Sequence, residues 1–255
     1  MTTTAIAGDA IAKFTALDLT SVALLFDVDG TLIDIGPTPH DVDVPEGLQS
    51  ALGILAGKTG GALALVSGRP IADLDRLFAP LTLSVVGGHG AEMRIRGRRL
   101  ATGARPLPLA LRRLIAEDAL PGTLVEDKDY SLAVHFRAVP NEQGEVRRRI
   151  AAALTNFPDE KVELLRGKDV IELKRPGVDK GRAVRTLLDH APFKGRRPAF
   201  VGDDVTDNAV FEILPQLGGI GFSVGRRIDG LAAMFETPSD VRTALGRLAG
   251  GARAA

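Results

Sequence analysis

The chain has 255 residues, 45% of them hydrophobic, with 32 Lys plus Arg against 32 Asp plus Glu and no cysteine. That size and apolar fraction support one large domain or two modest ones and exclude extensive disorder. The charge balance excludes a global basic field for nucleic acid or an anionic membrane, and the missing cysteine excludes disulfides and thiolate metal sites while fitting a reducing, cytoplasmic setting.

The stretch up to Phe26 carries Lys13 and several polar residues among its apolar positions and lacks a basic start followed by an apolar core, so no signal peptide is expected. No run approaches the roughly 18 apolar residues of a membrane span. The first strand is expected at 22–28, where Val22 to Phe26 form a continuous apolar run suited to a parallel sheet buried on both faces. Helix 45–57, strand 62–67, helix 70–78 and strand 83–87 follow. Strand and helix alternate, as in a parallel sheet covered by helices. In "ALALVSGRP" the strand ends at Ser67, Gly68 allows a tight turn, and Pro70 suits a first helical turn.

After "GGHGAEMRIRGRRLATG" the pattern changes. Helix 106–118, two strands within 123–138, helix 141–156 and two strands within 161–175 make a helix followed by two strands, twice over. That is the pattern of a small α+β module with an antiparallel sheet. Residues 179–250 return to helix, strand 198–202, helix, strand 219–224 and a last helix, and the tail "GGARAA" is expected to fray. The fold expected is therefore an α/β, Rossmann-like parallel-sheet core, 1–103 with 178–255, interrupted by a smaller α+β module at 104–177.

Polar residues gather at the expected strand ends and helix starts of the core. Asp27 and Asp29 sit at the C-terminal end of the first strand, just outside which open α/β sheets bind their ligands. Two carboxylates about 4 Å apart repel by roughly 4 kcal/mol at an effective dielectric near 20, and a divalent cation would offset that cost. The plainer reading is that Asp-Gly after a strand marks a turn. Lys180 follows Asp179, a good N-cap, so it falls in a first helical turn, where a cation opposes the helix dipole and points to a site. In "FVGDDVTDNAVFEIL", Asp204 and Asp207 suit a capping box, which leaves Asp203 as the preferred metal ligand. Ser67, on its own, reads as satisfying a turn amide.

Taken together, "DVDGTLI", "VSGR", "DKG" and "VGDDVTD", in that order and spacing, resemble the four motifs of the haloacid dehalogenase superfamily of phosphotransferases. The resemblance implies that Asp27 attacks phosphorus, and that Asp29 protonates the leaving alcohol and later activates water on the aspartyl phosphate. It also implies Mg²⁺ held by the Asp27 carboxylate, the Asp29 backbone carbonyl and Asp203, with Ser67 and Lys180 on the phosphoryl oxygens and Gly68 and Arg69 alongside. Asp204 and Asp207 would support that shell. A hard cation with oxygen ligands suits such a carboxylate group.

In the module, "SLAVHFR" sets Leu132, Val134 and Phe136 against Ser131, Ala133, His135 and Arg137, and "DVIELK" sets Ile171 and Leu173 against Glu172 and Lys174. Glu126 and Lys128 share one face. The bland reading is a solvated sheet surface; acids and bases mixed on one face suit a neutral polyhydroxyl ligand. "FDVDGTLIDIGPTP", "GGHGAE", "VEDKDYSLAVHFR", "GKDVIELKRPGVDKG" and "GDDVTDNAVF" resemble the trehalose-6-phosphate phosphatase family within that superfamily. By that resemblance the module is a cap in which Glu126, Lys128 and Glu172 contact sugar hydroxyls, with His135 and Arg137 near them and His89 at the domain seam. His89 is equally readable as a turn residue. Asn208 departs from the glutamate more frequent in the family. The implied partner is trehalose 6-phosphate, with association with the synthase that makes it left open. Other sugar-phosphate phosphatases, a phosphomutase and a non-catalytic sugar-phosphate sensor are the rival readings.

Overall fold

A computed structural model of the chain describes residues 3–36, 41–167 and 169–250. In chain order the elements are helix α1 (Thr3–Thr15), strand β1 (Val22–Phe26), α2 (Leu48–Lys58), β2 (Leu63–Val66), α3 (Ile71–Leu77), β3 (Ser84–Gly87), β4 (Glu92–Ile95) and β5 (Arg98–Leu100). Then come α4 (Leu109–Glu117), β6 (Leu124–Asp127), β7 (Ser131–His135), α5 (Gln143–Leu154), β8 (Glu163–Gly167) and β9 (Val170–Lys174). The rest is α6 (Lys180–Leu188), β10 (Arg197–Gly202), α7 (Asn208–Phe211), β11 (Ile220–Val224), β12 (Ala233–Phe235) and α8 (Pro238–Ala249). The tail 251–255, for which fraying is expected, lies outside the described residues.

The chain divides into two units. The first holds the described residues up to Thr102 and those from Asp179 onward; the second is Gly103–Val178. In the first unit an eight-stranded sheet runs in the order β12-β11-β10-β1-β2-β3-β4-β5. Its strands are parallel from β12 through β3, and β4 and β5 extend it antiparallel. Each face carries its own core. Val22, Leu24 and Phe26 of β1 pack toward α1, α2, α3 and α8, while Ala23 and Leu25 point to the opposite face, toward α6 and α7. Burial on both faces is what makes β1, and β10 beyond its exposed first residue Arg197, read without alternation.

Four core elements, α1, β4, β5 and β12, go beyond the sequence reading. Helix α1 is held by Ala10, Ile11 and Phe14, and Phe14 makes ring contacts with Phe26, Phe222 and Phe235 at centroid distances of 6.1, 5.3 and 5.9 Å. Strand β4 buries Met93 and Ile95 while Arg94, almost buried, forks onto Asp75 at 2.6 Å per contact. Strand β12 is a three-residue edge. Several helices start later than the sequence pattern indicates. Pro106 and Pro108 hold off α4 until Leu109, and Gly47, at φ 79°, precedes α2. The helix after β10 is only four residues, with Pro215 close behind it.

The second unit is a four-stranded antiparallel sheet in the order β6-β7-β9-β8. Leu132, Val134, Ile171 and Leu173 on one face pack with Leu111 and Ile115 of α4 and Val146 and Ile150 of α5. The period of two along β7 and β9 sends Ser131, Ala133, His135 and Glu172 to the other face. Among the described residues no helix is long and apolar enough to cross a membrane.

Candidate active site

Strands β1, β2 and β10 all point the same way, so the residues that follow them meet at one edge of the sheet. Asp27 directly follows β1 and is almost wholly buried. Lys180, the first residue of α6, donates from Nζ to Asp27 Oδ1 and to Asp207 Oδ1, both at 2.7 Å. Asp179 caps that helix by accepting from the Arg182 N–H at 2.8 Å. The position of Lys180 in the first turn, against the helix dipole, is thus offset by two carboxylates.

Asp203 and Asp204 follow β10. Their backbone N–H groups both donate to Asp207 Oδ2 at 3.0 Å, and Thr31 Oγ1 donates to Asp203 Oδ1 at 3.1 Å. Asp204 and Asp207 form the capping box expected from the sequence. Asp207, fully buried, also does what the sequence reading did not foresee: it anchors Lys180 from the far side. Gly30 is required beside this group, since it sits at φ 76° and a Cβ there would lie 2.3 Å from Asp203 Oδ2.

Asp27, Asp203 and Asp207 offer carboxylate oxygens that lie within 4.8 Å of one another. Three acids against one ammonium leave the group short of positive charge. Burial pushes Asp27 well above the usual carboxylate range, with Asp207 and Asp203 adding to the effect of burial and Lys180 only partly opposing it. Asp203 is pushed up to about 6, first by burial and then by the charge of Asp207, against the hydrogen bonds from Asp27 and Thr31. Lys180 is held above the ordinary lysine value: burial opposes its charge, but Asp207 and Asp27 outweigh it. An all-oxygen donor set with excess negative charge fits a hard divalent cation. Both Asp207 oxygens already accept hydrogen bonds, so Asp27 and Asp203 are the better ligands.

Asp29 takes no part in that carboxylate group. Its two oxygens accept from Arg69, at 2.7 Å from Nε and 2.6 Å from the terminal nitrogen, a bidentate pair. Ser67 Oγ accepts from the Arg69 N–H at 3.1 Å, the turn role that its position after β2 suggests. Gly68 is explained by His89, whose ring atoms would be 2.4 Å from a Cβ on Gly68. His89 itself stands at φ 55° and its N–H donates to the Ser67 carbonyl at 3.0 Å, so it braces this turn. Arg226 has no signal in the sequence that marks it, yet it donates to the carbonyls of Asp203 and Asp204, each at 2.6 Å, and to Asn208 Oδ1 at 2.8 Å.

A second polar group lies on the helix-free face of the antiparallel sheet. Register places Glu126, Ala133 and Glu172 in one row across β6, β7 and β9. Glu126 Oε2 lies 3.2 Å from His135 Nε2 and 3.4 Å from Lys128 Nζ. Lys128 Nζ also stands 3.7 Å from Glu172 Oε1, and that oxygen accepts from the buried Ser131 hydroxyl at 2.6 Å. Burial works to raise Glu126, but its hydrogen bond with His135 and the charge of Lys128 win and hold it below its ordinary value. Arg137 lies past the end of β7 and is exposed.

A family model described as trehalose-phosphatase matches residues 25–229, a span that takes in both groups. The probable trehalose-phosphate phosphatase of Sinorhizobium fredii is 38% identical over 226 residues, covering 87% of this chain and 84% of that one. The trehalose-6-phosphate phosphatase of Escherichia coli is 37% identical over 209 residues, covering 80% and 77%. Among solved structures, a trehalose-6-phosphate phosphatase related protein superposes with a TM-score of 0.71 at 26% identity, over 89% of this chain and 96% of that one. The C-terminal domain of the Candida albicans trehalose-6-phosphate phosphatase gives 0.76 at 22% identity, over 94% and 96%. The core is thus the Rossmann-like haloacid dehalogenase fold with an inserted α+β cap domain. With the matched span running from β1 past the acidic loop that follows β10, the chain belongs to the trehalose-phosphatase family.

Proposed function

We propose that this enzyme hydrolyses trehalose 6-phosphate to trehalose and phosphate, with Asp27 as nucleophile and Mg²⁺ as the metal. The observation that carries the chemistry is the buried Asp27–Lys180–Asp207 bridge beside Asp203. A bound Mg²⁺ would supply charge neutralisation for the carboxylates and the transferring phosphoryl group; Asp27 and Asp203, with the Asp29 carbonyl, would hold it. Lys180 fixes the Asp27 carboxylate and adds positive charge next to the phosphoryl oxygens. An Asp27 oxygen forms a bond to phosphorus as the bond from phosphorus to the sugar oxygen breaks, and Asp29, which must first leave the Arg69 fork and take up a proton from solvent, gives that proton to the leaving oxygen. Asp29, now a carboxylate, takes a proton from water as the water oxygen bonds to phosphorus. The bond between phosphorus and Asp27 then breaks, which frees phosphate and restores Asp27. Arg69 holds Asp29 as a carboxylate until that proton is taken up, and Ser67, whose Oγ accepts from the Arg69 N–H, would donate its hydroxyl to a phosphoryl oxygen.

The sugar is read by the inserted unit. Glu126, Lys128 and Glu172, with His135 beside them, present donors and acceptors in a compact cluster of little net charge, which suits hydroxyl groups rather than a second phosphate. Sequence relatives of the two kinds compared above carry this substrate in their names, and that supports the choice. The substrate is the partner in this reading; association with the synthase is tested apart, by co-elution. The deciding experiment is phosphate release over a panel of sugar phosphates, with Mg²⁺ and with EDTA. Selective, Mg²⁺-dependent release from trehalose 6-phosphate is expected. Equal release across the panel, or indifference to EDTA, would overturn it.

A further inference from the structure

We propose that Arg226 is a positioning residue for Asp203: it sets the height of the Asp203 carboxylate and thereby the affinity of the site for its divalent cation. The inference rests on the reading that Asp203 ligates Mg²⁺. Strand β11 runs parallel to β10, and after it Gly225, at φ 69°, turns the chain so that Arg226 reaches back to the end of β10. There its guanidinium meets the Asp203 and Asp204 carbonyls and the Asn208 side-chain oxygen, three acceptors within a segment of six residues. Asp203 is consequently held at its N–H by Asp207, at one carboxylate oxygen by Thr31, and at its carbonyl by Arg226.

The chemistry of those contacts argues for position rather than charge pairing. Among the described residues the hydrogen bonds of Arg226 all go to neutral oxygens. A cation at the start of a helical segment is electrostatically disfavoured, so the geometry of its grip has to outweigh that cost. A planar fork with several N–H donors can bind three acceptors at once, which a lysine ammonium on a flexible stem cannot match. The Asp203 carbonyl belongs to the same residue as the ligating carboxylate. Releasing it frees the peptide to rotate, and the carboxylate then loses the separation from Asp27 that the metal requires. Groups that orient metal ligands without touching the metal typically control affinity by about 10–100-fold.

The test is direct Mg²⁺ binding by isothermal titration calorimetry on the full chain, with Mg²⁺ alone as probe. Arg226→Ala should weaken binding by about 10–100-fold. Arg226→Lys should recover only part of it, and Asn208→Leu, which removes one acceptor, should cost about two- to tenfold. At saturating Mg²⁺ the kcat of Arg226→Ala should return to within about threefold of the parent, since the reacting groups are intact. Arg197→Ala serves as the control, because Arg197 makes a comparable contact to the Gly218 carbonyl away from the acidic loop; its Mg²⁺ affinity should match the parent. Should Arg226→Ala fail to fold, Arg226→Lys and Asn208→Leu carry the measurement. Unchanged affinity in the Arg226 variants overturns the proposal, and so does equal weakening in Arg197→Ala. Asp203→Asn separates the two levels: binding that survives it overturns the metal reading itself, whereas binding lost there but unaffected by Arg226 overturns the positioning role alone.

Discussion

Replacing Lys180 by Met keeps most of the stem volume and deletes the charge that, among the described residues, bridges Asp27 and Asp207. Both contacts are 2.7 Å and all three side chains are almost out of solvent. At that distance and an effective dielectric of about 20 each pair attracts by about 6 kcal/mol, most of it offset by the desolvation of the ions. Removing one member of a buried pair strands the others, and such losses run to about 3–5 kcal/mol. In a chain of this size about 1 kcal/mol moves Tm by about 2–4 °C, so Lys180→Met should lower Tm by about 10 °C at pH 7 in EDTA. The sign with pH is also fixed. Because Lys180 is raised in the folded state, its contribution is whole below about pH 10 and fades only as pH rises through the folded value. In the variant, Asp27 is a buried carboxylate without its cation and binds protons more readily than when unfolded. The variant should therefore regain stability as pH falls toward about 5. Added Mg²⁺ should restore part of the loss. Differential scanning calorimetry across pH, with and without Mg²⁺, reads all three effects. A Tm within about 2 °C of the parent at pH 7, or a deficit that does not shrink on acidification, would refute the reasoning.

Other outcomes follow from the same geometry. Asp27→Asn should keep the fold and lose about 10³-fold or more of trehalose 6-phosphate turnover, measured as phosphate release; near-normal activity would sink the covalent route. Glu172→Ala should lose most trehalose 6-phosphate hydrolysis yet keep its low rate on p-nitrophenyl phosphate, because only the sugar uses that contact; equal loss on both would assign Glu172 to the fold or to the core chemistry. Glu126, whose pKa is lowered in the folded state, contributes stability that is present above about pH 4.5 and lost as pH falls through its folded value. Glu126→Gln should accordingly flatten the acid limb of the stability curve, and an unchanged limb would count against the His135 and Lys128 contacts. Gly30→Ala forces a side chain into a left-handed position and toward Asp203, so both stability and Mg²⁺ affinity should fall, by circular dichroism melts and calorimetry.

The parts legible in the sequence are those where one local pattern has one physical meaning. Val22–Phe26 and the run before Asp203 are apolar without alternation, and only a strand covered on both faces asks for that. Asp27, Asp203 and Lys180 were findable because each breaks a local rule at a strand end or helix start. Helix α1 escaped because, among its described side chains, only Ala10, Ile11 and Phe14 are buried, although Phe14 stands at the spacing that would have shown it. Strand β4 was hidden by Arg94, a charge that reads as exposed until its fork on Asp75 is seen. The Arg69–Asp29 pair joins residues 40 apart, and Arg226 grips a loop that closes only when β11 lies beside β10. Contacts of that kind have no local pattern, so no reading of neighbouring residues finds them.

The sheet order has a consequence for how the protein is made. Strand β1 lies between β2, which follows it after one helix, and β10, which begins at Arg197 after the whole of the second unit has been synthesised. Lys180 and Asp27, hydrogen-bonded in the finished protein, are 153 residues apart. On the ribosome the antiparallel unit, built from near neighbours, can collapse early, whereas β1 keeps an unpaired apolar edge until Arg197–Gly202 emerges. An exposed edge of that kind is a template for pairing between chains. A ribosomal pause or truncation between Gly103 and Arg197 should thus be the most aggregation-prone point in the protein's synthesis, and the nucleophile's own strand is the segment at risk.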